Sequence, residues 1–402
     1  MKKLIVTLLL LSMTACLLFA NGGQEASADE FTLWTKEGEA DGGLQLVQAL
    51  AEEFGEEHGV NIVVVQKDVE ALREDFLNAS LAGDPPDLLW TVSDHAGPFV
   101  TAGVVQPVDD LVDTSDYVAA PSANGNTYGV PISAGNHLML MYNRSLVPEA
   151  PQNTDEMIEM GEAITDGDVW GIVWNQTEPF WLVPWLGGFG GSVFAADGVT
   201  PTLDTPAMVG ALQLLHDIKY EYEITPPECD YNAMDTLFKE GLAGMIVNGD
   251  WALGQYEEIL GDDLGVAPIP MVSETGEWPA AYTSGVYFMV PEGIDGPVLD
   301  VLTDFMLYVT SIEQQERQLN TLNRLPGLRE ALESDAVTDD PLLAASAEAM
   351  SYGVPMPTVL EMRCNWDSMK PELIAVLNGQ QTPEAAAEAM QSAAESCVQS
   401  QQ

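Results

Sequence analysis

The chain has 402 residues, 46% of them apolar, with 63 acidic against 13 basic side chains and a formal charge of −50. One hydrophobic core stops growing well below this length, so two or more lobes are expected, and nine Trp, eleven Tyr and eleven Phe exclude a disordered acidic tail. A nucleic-acid backbone is bound through Lys and Arg that displace counterions, and this charge would repel it, which excludes direct DNA or RNA binding.

Met1-Lys2-Lys3, the apolar run Leu4 to Ala20 and the polar exit Asn21 to Asp29 have the form of a secretory signal over residues 1–20. Cleavage after Ala20 or Ala28 would free a soluble protein. Alternatively Met13-Thr14-Ala15-Cys16 resembles a lipobox whose Cys16 would carry lipid, although Leu17-Leu18-Phe19 continues the apolar run. The expected location is periplasmic or extracellular, with or without a membrane anchor through Cys16. No other stretch approaches the ~20 uninterrupted apolar residues of a transmembrane helix. Loss of Lys2 and Lys3 with the signal takes the formal charge from −50 to −52. Such self-repulsion is tolerable where salt screens it, so a salt-rich habitat and an ordinary acidic exported protein are the two readings.

Along the mature chain, Phe31-Thr32-Leu33-Trp34 reads as a strand, Leu44, Val47, Leu50, Ala51 and Phe54 fall on one helical face, and Asn61 to Val65 reads as a second strand. A helix with Val69, Leu72, Phe76 and Leu77 on its stripe follows. Asp84-Pro85-Pro86 breaks it, and Asp87 to Trp90 is a third strand. This β-α-β-α-β order implies a parallel sheet with helices on both faces. Further units are helix 155–164, strand 170–174, helices 180–187, 206–221 and 233–240, strand 243–247 and helix 250–259. Gly129-Val130-Pro131 and Tyr282-Thr283-Ser284-Gly285 are candidate crossings between two open α/β lobes, with ligand in a cleft at the strand ends.

Near the C-terminus residues 364–378 read as a helix, Asn378-Gly379-Gln380-Gln381 as a turn and Thr382-Pro383-Glu384 as the start of a second helix reaching Cys397. Two antiparallel helices of matched length would bring Cys364 to Cys397. A Cys229–Cys364 bridge and three free thiols are the alternatives. Each Cys is isolated and His58, His95, His137 and His216 are scattered, so no metal site is expected, nor any cofactor.

The ordered segments Leu33-Trp34, Gly83-Asp84-Pro85-Pro86-Asp87-Leu88-Leu89, Tyr128-Gly129-Val130-Pro131, Met141-Tyr142-Asn143, Glu178-Pro179-Phe180, Phe238-Lys239-Glu240-Gly241, Asn248-Gly249-Asp250-Trp251 and Met356-Pro357 through Trp366 resemble the maltose/maltodextrin-binding proteins. These are family 1 extracellular solute-binding proteins of ABC importers. The resemblance runs from about Phe31 to about Ala394. It implies an α/β, two-lobed periplasmic binding protein fold (type II), each lobe a mostly parallel sheet flanked by helices, with three crossing segments and the ligand cleft between the lobes. The implied lobes are 29–133 plus 285–335 and 137–280 plus 338–397.

A pyranose shows apolar C–H faces and hydroxyl edges, so its site needs flat rings beside carboxylates, amides and a few basic groups. Trp251 follows Asn248-Gly249-Asp250 at a strand-to-helix junction, Phe180 and Trp181 follow Glu178-Pro179 at a helix start, and Trp366 has Lys370 one turn later. Taken alone each Trp reads as core. The resemblance places Trp251 and Trp366 on sugar faces, adds Tyr231 at an edge, and brings Trp34, Phe180 and Trp181 into the site. It matches Asp94 and Glu178 to carboxylates that accept from sugar hydroxyls and Lys370 to a basic position. On local grounds Asp94 would be a helix N-cap and Glu178 a first-turn acid favoured by the helix dipole.

The chain departs from the pattern where His95 stands for Arg, Thr91 for Trp and Asn136 for Glu. The stretch Thr35 to Gly43 aligns only with a gap, leaving Glu37 and Glu39 as candidates. The expected ligand is a neutral oligosaccharide, maltodextrin first and trehalose or another behind it. The expected action is capture by hinge closure and delivery, by a monomer, to the membrane permease subunits of an ABC importer, without catalysis. The alternatives are a secreted glycoside hydrolase using two carboxylates, Asp94 and Glu178 being the obvious pair, and a scaffold or adhesin that needs no such cleft. No G-x-S-x-G or phosphate-loop pattern occurs.

Overall fold

The structure is a computed structural model and describes residues 30–39, 42–118, 120–123 and 125–401. The signal segment and Cys16 lie outside the described residues.

Three strands open the fold: β1 (Glu30–Thr35), β2 (Asn61–Gln66) and β3 (Leu88–Val92), separated by helices Gly43–His58 and Val69–Ala82. They pair in parallel with β1 central, Leu33 lying opposite both Val64 and Leu88. Alternate β1 residues Phe31, Leu33 and Thr35 are buried, and Leu50 and Phe54 cover this face from the first helix. The expected β-α-β-α-β unit is therefore present.

After β4 (Val105–Gln106) and the ribbon β5 (Ser122–Ala123) and β6 (Asn126–Thr127), β7 (Val130–Gly135) joins the first sheet. Val130 and Pro131, expected in a crossing, lie inside this strand; the chain leaves the sheet after Gly135. A second sheet has the order β11-β8-β10-β9, built from β8 (Leu138–Asn143), β9 (Trp170–Val173), β10 (Ala243–Gly249) and β11 (Leu264–Ala267). The chain returns in β12 (Tyr282–Pro291), which begins in the other expected crossing and pairs with β3, β4 and β7 of the first sheet and with β13 (Val354–Pro355).

The expectation of mostly parallel sheets is corrected. In the second sheet only β9–β10 is parallel, and β8 runs antiparallel to both neighbours. In the first sheet β12 is antiparallel to β3, β4 and β7. Direction follows from how each strand is reached. A crossover helix within a lobe returns the chain to the same end and gives a parallel neighbour, whereas β8 and β12 arrive directly from the other lobe and run away from the junction. The parallel strands consequently end, and their loops gather, where the lobes meet.

Helices Gly296–Val309, Ile312–Leu322 and Arg329–Leu332 follow, and Leu302, Phe305, Met306 and Val309 complete the first core with Trp90 and Phe288. Helices Pro341–Ser351, Glu361–Leu377 and Pro383–Gln401 pack on the second core through Leu343, Met362, Met369, Leu373 and Met390. The last two form the expected hairpin, closed by a Cys364–Cys397 disulfide with Cα atoms 5.6 Å apart, and Cys229 is a buried free thiol. The lobes touch closely at Gly97, where a Cβ would stand 2.1 Å from the Thr358 carbonyl oxygen, so only glycine fits.

Candidate functional site

In the second lobe β10 ends in Asn248-Gly249, and the chain turns through a 3₁₀ segment, Asp250–Ala252, before helix Leu253–Leu260. A Cβ on Gly249 would lie 2.0 Å from the Trp251 ring, so the glycine lets that indole fold back over the strand end. Trp251 Nε1 donates to the Tyr231 hydroxyl at 2.9 Å. Tyr231 is fixed at the first position of helix Tyr231–Lys239, where Asp230 Oδ1 accepts the Ala233 N–H at 2.8 Å.

Phe180 stands between the other rings, its centroid 6.3 Å from Trp251 and 6.4 Å from Trp366, and Tyr282 meets Trp366 edge-on at 6.0 Å. Phe180, Tyr231, Trp251 and Trp366 are all partly exposed, so the four present one aromatic wall. At its edge Lys370 Nζ lies 2.5 Å from Glu178 Oε1, both side chains nearly half exposed. The predicted helix 180–187 begins as a 3₁₀ turn, Pro179–Trp181, which aims Phe180 outward and Trp181 inward.

Trp181 is 6% exposed and donates its indole N–H to the Val247 carbonyl at 2.8 Å, so it supports the wall from behind instead of facing a ligand. His95 likewise lies beneath the surface: it is 1% exposed, its Nδ1 2.8 Å from Thr91 Oγ1 and its ring edge-on to Phe99. Asp94, in the same 3₁₀ turn Ser93–His95, is partly exposed; burial pushes its carboxyl pKa up, opposed by its own backbone N–H and by the Arg73 charge. Trp34, half-buried at the end of β1, carries the Lys67 ammonium 4.3 Å from its ring centre.

Asn136 sits at the crossing between β7 and β8 with a left-handed backbone, φ 46°, which Asn tolerates better than most residues. Its N–H donates to Asp250 Oδ2 at 3.1 Å and its side-chain amide to Ser284 Oγ at 2.9 Å. Beside it the buried His137 donates from Nε2 to the Ser346 carbonyl at 3.0 Å, leaving Nδ1 unpartnered 3.9 Å from Asp250 Oδ2; burial lowers its pKa, opposed by Asp250. A cavity of about 510 Å3 opens next to this junction, lined by Ser93, Ala134, Ser284 and Tyr287 from the first sheet and its loops and by Met356 and Thr358 from the loop before the Trp366 helix.

Glu37, one of two candidates in the unaligned stretch, is 2% exposed and holds Arg324. Glu39 is exposed. Ser284 stands in the sequence only as part of the candidate crossing 282–285, and Arg324 is not singled out there. The only signal for Arg324 was its rarity, one of 13 basic residues.

A family profile described as bacterial extracellular solute-binding protein matches residues 49–345. A maltotriose-binding protein of Pyrococcus abyssi is 30% identical over 348 residues, 83% of this chain and 75% of the relative. A maltooligosaccharide ABC transporter solute-binding lipoprotein of Streptococcus pneumoniae is 24% identical over 373 residues, 89% of this chain and 86% of that one. The structure of a maltose/maltodextrin-binding domain from Bdellovibrio bacteriovorus bound to maltotriose superposes with a TM-score of 0.85 at 35% identity, covering 92% of this chain and all of that one. The two-lobed architecture, the breadth of the profile match and these identities lead to one conclusion: the chain belongs to the bacterial extracellular solute-binding proteins.

Proposed function

We propose that this protein captures a neutral malto-oligosaccharide outside the cytoplasm and delivers it to the permease of an ABC importer. The observation that carries the reading is the aromatic wall of Phe180, Tyr231, Trp251 and Trp366 bordered by Lys370 and Glu178, in a fold whose other lobe carries Asp94 just after β3 and Trp34 near the end of β1. Rings meet the C–H faces of pyranoses, and carboxylates and the ammonium satisfy their hydroxyls. The relatives named for maltotriose and maltooligosaccharides support the same ligand class.

In this reading the lobes are 29–133 plus 285–335 and 137–280 plus 338–397. Sugar held by both walls favours the closed form through its differential contacts, rotation occurring about the crossings near Asn136 and Ser284. The protein acts as a monomer, and its exported form is either free or anchored through a lipidated Cys16, as the lipoprotein relative's name suggests. Among the described residues no helix is long and apolar enough to cross a membrane.

A solute-binding protein performs no bond cleavage, which sets aside the glycoside hydrolase; Glu178, paired with Lys370, serves as an acceptor at the rim. Calorimetry with maltose, maltotriose, trehalose and xylo- and cello-oligosaccharides tests the proposal. Stoichiometric binding of the malto-series with the sugar recovered intact is expected. Hydrolysed product, or silence toward every malto-oligosaccharide, would overturn it.

A further inference from the structure

Asp250 stands directly before Trp251 and is 3% exposed. It grips the crossing after β7 at two points: its N–H donates to the His137 carbonyl at 3.2 Å, and its Oδ2 accepts the Asn136 N–H at 3.1 Å. Gly135 makes the approach possible, since a Cβ there would lie 2.0 Å from Oδ2. The turn that carries one ring of the aromatic wall is thus fastened, through a carboxylate, to a segment that joins the lobes.

His137 has a second claim on that carboxylate. Its side chain is fully buried, and Nε2 faces the Ser346 carbonyl at 3.0 Å, so Nε2 carries the proton of the neutral ring. Nδ1 is then a lone pair without a partner, 3.9 Å from Asp250 Oδ2. Two acceptors face each other, and a proton on Nδ1 turns that opposition into a charge-assisted hydrogen bond. Such bonds are about 2.7–2.9 Å long, so the pair must close by about 1 Å to form one.

Among the described residues of the elements around the ring, Asp250 is the one charge that acts on it. Strands β7, β8, β10 and β11 carry no charged side chain. At helix Pro341–Ser351, Asp340 caps the first turn by accepting the Leu342 and Leu343 N–H groups, Glu348 is exposed, and Ser346 adds a hydroxyl 3.4 Å from Nε2. Burial lowers the His137 pKa from its ordinary 6.5, opposed by the Asp250 charge and the Ser346 bond. The ring is therefore neutral near pH 7 and takes a proton only in acid.

We propose that His137 and Asp250 are positioning residues that make sugar capture depend on pH, an inference that rests on the oligosaccharide reading above. With His137 neutral, the carboxylate holds Asn136 and keeps the Trp251 turn in its binding position. A proton taken from solvent at Nδ1 draws Oδ2 away from the Asn136 N–H, and the turn with Trp251 follows. Affinity is full while the ring is neutral and is lost as pH falls and the ring gains its proton. Calorimetry with maltotriose at about pH 7.5 and about pH 5 tests this on the wild type, His137→Gln and Asp250→Asn. The wild type should bind about fivefold more weakly at the lower pH, at the small end of couplings between sites. H137Q, whose amide takes no proton, and D250N, which offers an imidazolium no charge, should each lose most of that ratio whatever their affinity at neutral pH. In the ligand-free protein, tryptophan emission should shift over the same interval in the wild type and not in H137Q. Equal wild-type affinity at both pH values, or an undiminished ratio in either variant, overturns the switch and leaves the proposed function standing. Silence toward every malto-oligosaccharide overturns the proposed function; the emission measurement then decides the switch, and a flat wild-type trace overturns it as well.

Discussion

Arg324 Nη1 lies 2.9 Å and 2.8 Å from the two carboxylate oxygens of Glu37, in a pair of which neither side chain is more than 8% exposed. The pair joins the end of β1 to the segment after helix Ile312–Leu322, across 287 residues. Trp90 Nε1 donates to Glu37 Oε1 at 3.1 Å, and the Lys36 ammonium stands 3.2 Å from the same oxygen. Removal of one partner from such a pair strands a buried charge, so Arg324→Ala is expected to cost about 3–5 kcal/mol in urea unfolding. A cost below 1 kcal/mol would show that water reaches Glu37.

The same pair sets an acid limit. Burial opposes charge on Glu37, yet the Arg324 and Lys36 charges and their hydrogen bonds hold its pKa at about 2, below the unfolded value of about 4.3. A depressed carboxylate stabilises the fold fully above the unfolded pKa and loses that contribution as pH falls through the folded one. Stability should therefore decline between about pH 4.5 and 2, and Glu37→Gln should flatten that decline; an unchanged slope in pH-dependent urea melts would contradict it.

The disulfide closes a sequence separation of 33 residues between the last two helices. Cross-linking a loop of this length stabilises by about 3–4 kcal/mol in the chain-entropy account. Cys364→Ser with Cys397→Ser should lower stability by that order while leaving sugar affinity near wild type, since neither sulfur lines the wall. Urea melts paired with calorimetry separate the two effects.

Trp181 and Trp366 should fail in different ways. Trp181→Ala empties a buried site and removes the bond to Val247, at about 3–5 kcal/mol of stability. Trp366→Ala should spare the fold and weaken sugar binding by about 1–3 kcal/mol. Equal effects of both variants on melting and on binding would dissolve the distinction between wall and support.

A formal charge of −50 repels itself most strongly at low ionic strength. Thermal melts from low to molar NaCl should show midpoints rising with salt. Flat midpoints would assign the acidic surface to something other than a salty habitat.

Much of the fold could be read because its signals are local. The periodicities of the first five elements needed no tertiary information, and the C-terminal pairing of Cys364 with Cys397 followed from two helices of equal reach. Strand direction could not be read, because β8 and β12 look like any buried strand and only the lobe they come from makes them antiparallel. Within the candidate site, Trp251 and Phe180, beside a strand end and a helix start, lie partly exposed and near each other, as their positions in the sequence suggest. His95 and Trp181 are buried, which composition does not reveal, since it does not say which side of a 3₁₀ turn faces outward. Arg324 carries no local pattern at all; its partner Glu37 lies 287 residues away along the chain.

Asn136 is bonded through its side chain to one crossing, at Ser284, and through its backbone to Asp250 in the second lobe. The crossing after β7 and the start of β12 are therefore tied by this amide as well as by the ladder that sets Ser284 opposite Gly135. In the proposed closure, a bend near Asn136 and Ser284 would carry both crossings together, so a ligand that grips both walls would act on one joined hinge and not on a loose pair of tethers.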